Sequence, residues 1–319
     1  MQDIAKKLII EIAHDENFDK KLIDQAKSTY YPLVTIYASK HGAEYNYDGD
    51  EHIDWWDIYN LIFSNEKKDP VKQHQIFNQL IIDSENKINW AHLCLGELIR
   101  LSYCSTILTT NFDQLILEAM ARVGVIPVVS NGLESQEIRI KSNPSFPQLV
   151  HLHGSRHSYS IRNSLSDLEE LGKNNYFKNN LLEILSEAET VVFIGYSGSE
   201  PWFGQFIDKH TTFNEKRIFW IAYENDINEL SNNARKLKEK CSDFVFIPGQ
   251  DADDFFYILL RYLRIGVPEI ISEPISMQLN QSKIIIHDSD RYSYFVKKHD
   301  KELELLQKEL DTIRSKESK

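Results

Sequence analysis

Glycine is the first scarcity. The chain has 319 residues and only 12 glycines, and none falls before Gly42. The first hundred residues hold just Gly42, Gly49 and Gly96, so no glycine-rich phosphate loop of the G-x-G-x-x-G kind lies there. Cysteine is scarce too. Cys94, Cys104 and Cys241 show no C-x-x-C spacing, which excludes a zinc ribbon and a disulfide framework and reads as reduced core thiols of a cytoplasmic protein. No apolar run approaches the roughly 18 residues that span a bilayer, and residues 1–16 lack a signal-peptide core. Positive charge is in deficit: the net charge of −12 argues against direct nucleic-acid binding through phosphate neutralisation.

What is present is the composition of an ordinary globular protein, 42% hydrophobic and 26% charged, enough to build a large core. Residues 1–103 read as helical. Apolar residues recur at three- and four-residue intervals, as in Ile4, Leu8, Ile9, Ile12 and in Ile76, Leu80, Ile81. The loop HGAEYNYDGDEH at 41–52 interrupts them. Trp55, Trp56, Tyr59 and Phe63 then resume the helical spacing, as aromatics packing between helices do.

From residue 104 the texture changes. Six short β-rich runs appear, STILTT (105–110), VIPVVS (125–130), QLVHLH (148–153), TVVFIG (190–195), RIFWIAY (217–223) and DFVFIPG (243–249), with helix-length segments between most of them. Continuous apolar strands alternating with helices predict an α/β fold, a Rossmann-like doubly wound parallel sheet over 104–265. The helical N-terminal region packs on that core and partly belongs to it. Residues 266–319 form an extension with a possible strand at KIIIH (283–287) and a charged C-terminal helix carrying leucines at 303, 305, 306 and 310.

In open parallel sheets ligands bind beyond the carboxyl ends of the strands. Those ends carry Thr110, Asn111 and Asp113; Gly154 and Ser155; Gly195 to Glu200; Glu224, Asn225 and Asp226; and Gly249 to Asp251. Each has a plain alternative. Asn111, Asp226 and Glu224 suit helix caps, and Gly195 and Gly198 suit a tight turn. Taken together they suggest a nucleotide across the top of the sheet, with an acidic group near a ribose and small residues near an anion. His151, His153 and His157 invite a metal reading, since strand alternation sets the first two on one face. No third ligand at metal spacing completes a shell, so the readings left are a structural role and, for His153, a general base.

TTNFD (109–113), LHG (152–154), GYSGSE (195–200) and IPGQDADDFF (247–256), in this order, resemble the sirtuin (Sir2) superfamily, in particular the Sir2-like domains of bacterial antiphage defence proteins. The resemblance extends from about residue 50 to 265. It implies that NAD is the substrate and its nicotinamide–ribose bond the target. Asn111 and His153 would then be catalytic, Asn111 positioning ribose or water and His153 acting as base. Asp113 would meet the nicotinamide carboxamide, Thr110, Gly154, Gly195 and Ser197 the ribose and phosphates, and Asn225 and Asp251 the adenosine end. It further implies regulation through a homo-oligomer, a partner or a neighbouring domain.

Two departures qualify the match. Sirtuin deacylases carry a four-cysteine zinc module, and no cysteine lies between Cys104 and Cys241, so no zinc is expected and hydrolysis of NAD is favoured over protein deacylation. The family's first strand and its Gly-Ala-Gly loop have no counterpart. Either the chain starts downstream of them or it is a degenerate copy, which keeps an NAD or ADP-ribose sensor as an alternative.

Overall fold

A computed structural model of the chain describes residues 2–45, 47–66, 87–135, 146–158, 161–277, 301, 304–309 and 311–312. Four helices open it: α1 (Gln2–Asp15), α2 (Lys20–Gln25), α3 (Tyr31–Lys40) and α4 (Trp55–Glu66). Their apolar stripes meet around Leu8, Ile12, Leu33, Tyr37, Ile62 and Phe63. The 41–52 loop has a structural task there. Asp50 accepts hydrogen bonds from the Tyr30 and Tyr31 amides, each 2.8 Å from Oδ1, and so satisfies the start of α3. Phe112 and Ile161 pack into the same cluster, which seats this bundle beside the loops that follow two of the strands.

Next come α5 (Trp90–Arg100), β1 (Thr106–Thr109), α6 (Leu115–Arg122), β2 (Val128–Asn131) and β3 (Gln148–His151). They are followed by α7 (Leu165–Leu171), α8 (Asn175–Ser186), β4 (Thr190–Ile194), α9 (Pro201–Lys209), β5 (Arg217–Ile221), α10 (Asn232–Lys240), β6 (Asp243–Ile247), α11 (Ala252–Tyr262) and α12 (Glu269–Ser272). All six expected strands form, and all pair in parallel. One feature differs from the expected continuous sheet. The strands make two three-stranded sheets, ordered β1-β3-β2 and β4-β5-β6, with no pairing between β1 and β4.

Helices cover both faces, as parallel strands require. On one side Trp202, Phe206, Phe177, Leu181 and Leu237 pack against Val150 of β3 and Ile218 and Trp220 of β5. On the other, Cys94 and Leu98 of α5 meet Phe256 and Leu260 of α11, while Ile99 meets Met120 and Val123 of α6 and its neighbours. The α5 helix therefore belongs to the α/β core. The thiols of Cys94, Cys104 and Cys241 are free.

Residues 304–309 and 311–312 are helical, with Leu305 exposed. The expected strand at 283–287, the spacing at Ile76, Leu80 and Ile81, and Leu303 and Leu310 lie outside the described residues. Among the described residues no helix is long and apolar enough to cross a membrane.

Candidate functional site

The turn after β1 divides its duties unevenly. Thr109 Oγ1 accepts the Asn111 amide at 3.1 Å, and Asp113 Oδ1 accepts the Leu115 amide at 3.0 Å, at the start of α6. Asp113 closes a turn just before α6, while the N-cap position itself is Gln114, which makes no side-chain cap. The Asn111 side chain is exposed and makes no hydrogen bond among the described residues, although its backbone carbonyl accepts His151 Nδ1 at 3.0 Å.

β3 ends at His151, so strand alternation does not extend to His153, which lies in the following turn. Both rings are buried. His151 donates from Nδ1, so its Nε2 carries the lone pair, and that buried atom has no partner among the described residues. Burial lowers its pKa, an effect partly offset by the Asn111 carbonyl and Asp113. His153 Nε2 lies 3.1 Å from Trp202 Nε1. An indole N–H can only donate, so His153 Nε2 is the acceptor and its neutral ring carries the proton on Nδ1. Burial brings the His153 pKa down to about 4.

Gly154, at φ +81°, closes the turn with its amide on the His151 carbonyl, and the Arg156 amide donates to the Phe112 carbonyl at 3.0 Å. This last bond ties the ends of β1 and β3 together. His157 is exposed, its Nε2 3.2 Å from Arg156 Nε. Among the described residues no group of three or more His, Cys, Asp or Glu is placed to hold a metal.

After β4 the chain needs glycine twice. Gly195 has φ +60° and open space where a Cβ would stand, whereas at Gly198, φ +70°, a Cβ would lie 2.8 Å from the Trp220 ring. Asn233 Nδ2 fixes this loop by donating to the carbonyls of Gly198 and Glu200, at 2.9 and 3.2 Å. The Ser197 and Ser199 hydroxyls are 2.8 Å apart and exposed. Glu200 stands at the N-cap of α9 without capping it, beside Tyr196, and burial raises its pKa. While ionised it opposes a second anion at this helix start.

The ends of β5 and β6 meet through Asn225, whose Oδ1 would lie 2.8 Å from a Cβ at Gly249. Asp226 accepts the Asn228 amide and Asp251 the Asp254 amide, so both are helix caps.

One cleft connects part of this rim. About 170 Å³ in volume, it runs between Leu108–Asn111 and Val191–Tyr196 and is floored by Leu181, Leu185, Trp202 and Phe203. It gathers Thr110, Asn111 and Gly195 with the tryptophan that holds His153. Asp113, His153, Gly154, Ser197, Asn225 and Asp251 do not line it. Small-molecule sites run to about 300–1,000 Å³, and no Lys or Arg lines this one. The cleft is lined mainly by apolar side chains and offers no cation to a pyrophosphate.

Two participants escaped sequence reasoning. Trp202 is 49 residues from His153, with only its place after a GYSGSEP turn to flag it. His92, on α5, has its low pKa set by burial and feels the carboxylates of Asp113 and Asp253, an encounter without any local signal. No curated protein matches the chain. Residues 105–245, from β1 into β6, match the family described as SIR2-like domain, which supports membership of this stretch in the Sir2-like superfamily and points broadly to a function connected with NAD.

Proposed function

We propose that the chain hydrolyses NAD at the nicotinamide–ribose bond, yielding nicotinamide, ADP-ribose and a proton. The observation that carries this reading is the idle Asn111 amide, exposed at the mouth of an apolar cleft opposite the open backbone of Gly195. An amide that does nothing for the fold is available to a ribose hydroxyl or to water. Nicotinamide enters the cleft between Thr110 and Gly195. Asp113 lies outside the lining of that cleft, so it meets the carboxamide only at the cleft mouth, accepting with the oxygen not engaged with Leu115.

As the C–N bond breaks, its electron pair leaves with the ring and positive charge grows on the ribose, as in glycoside cleavage. Water held by Asn111 adds to that carbon. Its proton passes to His153 Nε2, once Trp202 has withdrawn its own N–H from that lone pair. Gly154 and Ser197 border the ribose and phosphates, and Asn225 and Asp251 the adenosine end. Because uncontrolled NAD loss harms a cell, activity is held back until a homo-oligomer, a partner or a neighbouring domain releases the Trp202–His153 pair, as suits antiphage defence.

The test is nicotinamide release from NAD by the purified chain. Release without an acylated peptide, reduced by about 10²–10⁴-fold in His153→Ala, supports hydrolysis. A second reading, an NAD or ADP-ribose sensor, is favoured by the engaged His153 lone pair and the cation-free lining. It predicts binding without release. Protein deacylation fits less well, since no cysteine lies between Cys104 and Cys241 to build a zinc module.

A further inference from the structure

The last rung of the β1–β3 ladder pairs Thr109 with His151, and the Leu152 amide closes it by donating to the Thr109 carbonyl at 2.8 Å. Neighbours in register carry their side chains on the same face of a sheet. Leu108 and Val150 pack into the layer that holds Trp202, and Ile107 into the layer of α5 and α6, so Thr109 and His151 turn together to the second layer. Both are buried, and both reach forward to one residue.

That residue is Asn111. Its amide donates to Thr109 Oγ1 at 3.1 Å and its carbonyl accepts His151 Nδ1–H at 3.0 Å, so the peptide planes on either side of one Cα are held at once. Fixing both planes fixes φ and ψ, and the tetrahedral Cα then leaves a single direction for Cβ. The grip continues along the turn. The Phe112 carbonyl accepts the Arg156 amide at 3.0 Å, and Asp113 Oδ1 accepts the Leu115 amide at 3.0 Å. From this anchored backbone the Asn111 side chain stands exposed at the cleft mouth.

The two halves of the grip differ in kind. A threonine hydroxyl that closes onto the amide two residues on is local turn chemistry. The histidine comes from the neighbouring strand, 40 residues away. Its ring is 1% exposed and does not line the cleft, so it does not touch a molecule held there. Burial lowers its pKa and keeps the ring neutral, with the proton on Nδ1 where the Asn111 carbonyl needs it.

We propose that His151 is a positioning residue: its Nδ1–H, together with Thr109 Oγ1, holds the Asn111 backbone so that the Asn111 carboxamide meets its water or ribose hydroxyl in one orientation. The inference rests on the hydrolase reading above. His151 transfers no proton and contacts no substrate in this role. It acts on turnover through Asn111, and NAD binding, which has other contacts, is left nearly unchanged.

Nicotinamide release and residue-resolved amide exchange on the full chain test it, in wild type, His151→Leu and His151→Asn. Leucine offers no donor, whereas asparagine carries an N–H two bonds from Cβ, as Nδ1 is. A misplacement of about 1 Å costs on the order of 10²-fold, so kcat and kcat/KM should fall together by about that factor in His151→Leu, and His151→Asn should recover most of the loss. The Asn111 amide should exchange on the order of tenfold faster in His151→Leu, the equivalent of about one net hydrogen bond, and at the wild-type rate in His151→Asn. Thr109→Val removes the other half of the grip and should reproduce both changes, which keeps the test intact if the leucine variant does not fold. Wild-type turnover in His151→Leu, a loss that asparagine does not recover, or unchanged exchange at Asn111 would overturn the proposal. A wild type that releases no nicotinamide would instead contradict the hydrolase reading, and exchange at Asn111 then decides alone whether His151 holds it.

Discussion

Acid should unfold this protein through His153, by an amount that follows from its surroundings. The ring is 5% exposed, its one lone pair is taken by Trp202, and burial brings its pKa from the ordinary 6.5 to about 4. Protonation would set two donors against each other at Nε2. Between pH 6.5 and 4 the unfolded chain therefore binds the proton and the folded chain does not. Stability is fully present above pH 6.5 and is lost as pH falls toward 4. The loss is about 1.4 kcal/mol at pH 5.5 and roughly 3 kcal/mol at pH 4, at 1.36 kcal/mol per pKa unit. His151 and His92, also held neutral by burial, add losses of the same sign, so the contribution is read by difference. His153→Gln keeps an oxygen for the Trp202 N–H but cannot take a proton. Urea unfolding from pH 7.5 to 4.5 should give wild type a steeper decline than this variant, by the amounts above. Parallel pH profiles for the two proteins would refute the account of a neutral, tryptophan-capped ring.

The two polar residues of the β1 turn should separate cleanly. Asp113→Ala loses the hydrogen bond at the start of α6 and should cost about 1 kcal/mol in chemical denaturation, while Asn111→Ala should stay within about 0.5 kcal/mol of wild type and yet lose turnover. Gly198→Ala forces a Cβ to within 2.8 Å of the Trp220 ring at φ +70°, and should destabilise by about 1–3 kcal/mol on the same assay, against a smaller cost at the open Gly195. Trp202→Phe keeps the ring against Phe177 but removes the N–H, so the hydrolase reading expects higher basal nicotinamide release despite a stability cost of about 1–3 kcal/mol for the orphaned His153 nitrogen.

The strands were legible because they are short, largely apolar runs rich in β-branched and aromatic residues, TVVFI and RIFWI above all. Five of them end one or two residues before the expected run does, as at His153, whereas β2 starts three residues late, at Val128, and runs one past, to Asn131. The division of the sheet was not legible, since a sequence shows which segments extend and not which of them meet. At the rim, position was readable and duty was not. Asn111, Asp113, Asp226 and Asp251 all suit caps by composition. Only geometry shows Asp226 and Asp251 occupied in that way, Asp113 closing a turn onto Leu115, and the Asn111 side chain without a hydrogen bond among the described residues. The Trp202–His153 bond and the approach of His92 to Asp113 join distant segments, beyond the reach of any local pattern.

The measurement that bears most directly on the central claim is nicotinamide release from NAD by the full chain and by Asn111→Ala, compared at equal Tm. The account predicts release by wild type in the absence of any acylated peptide and its loss in the variant. Bound NAD that stays intact, or release that depends on the peptide, would contradict it.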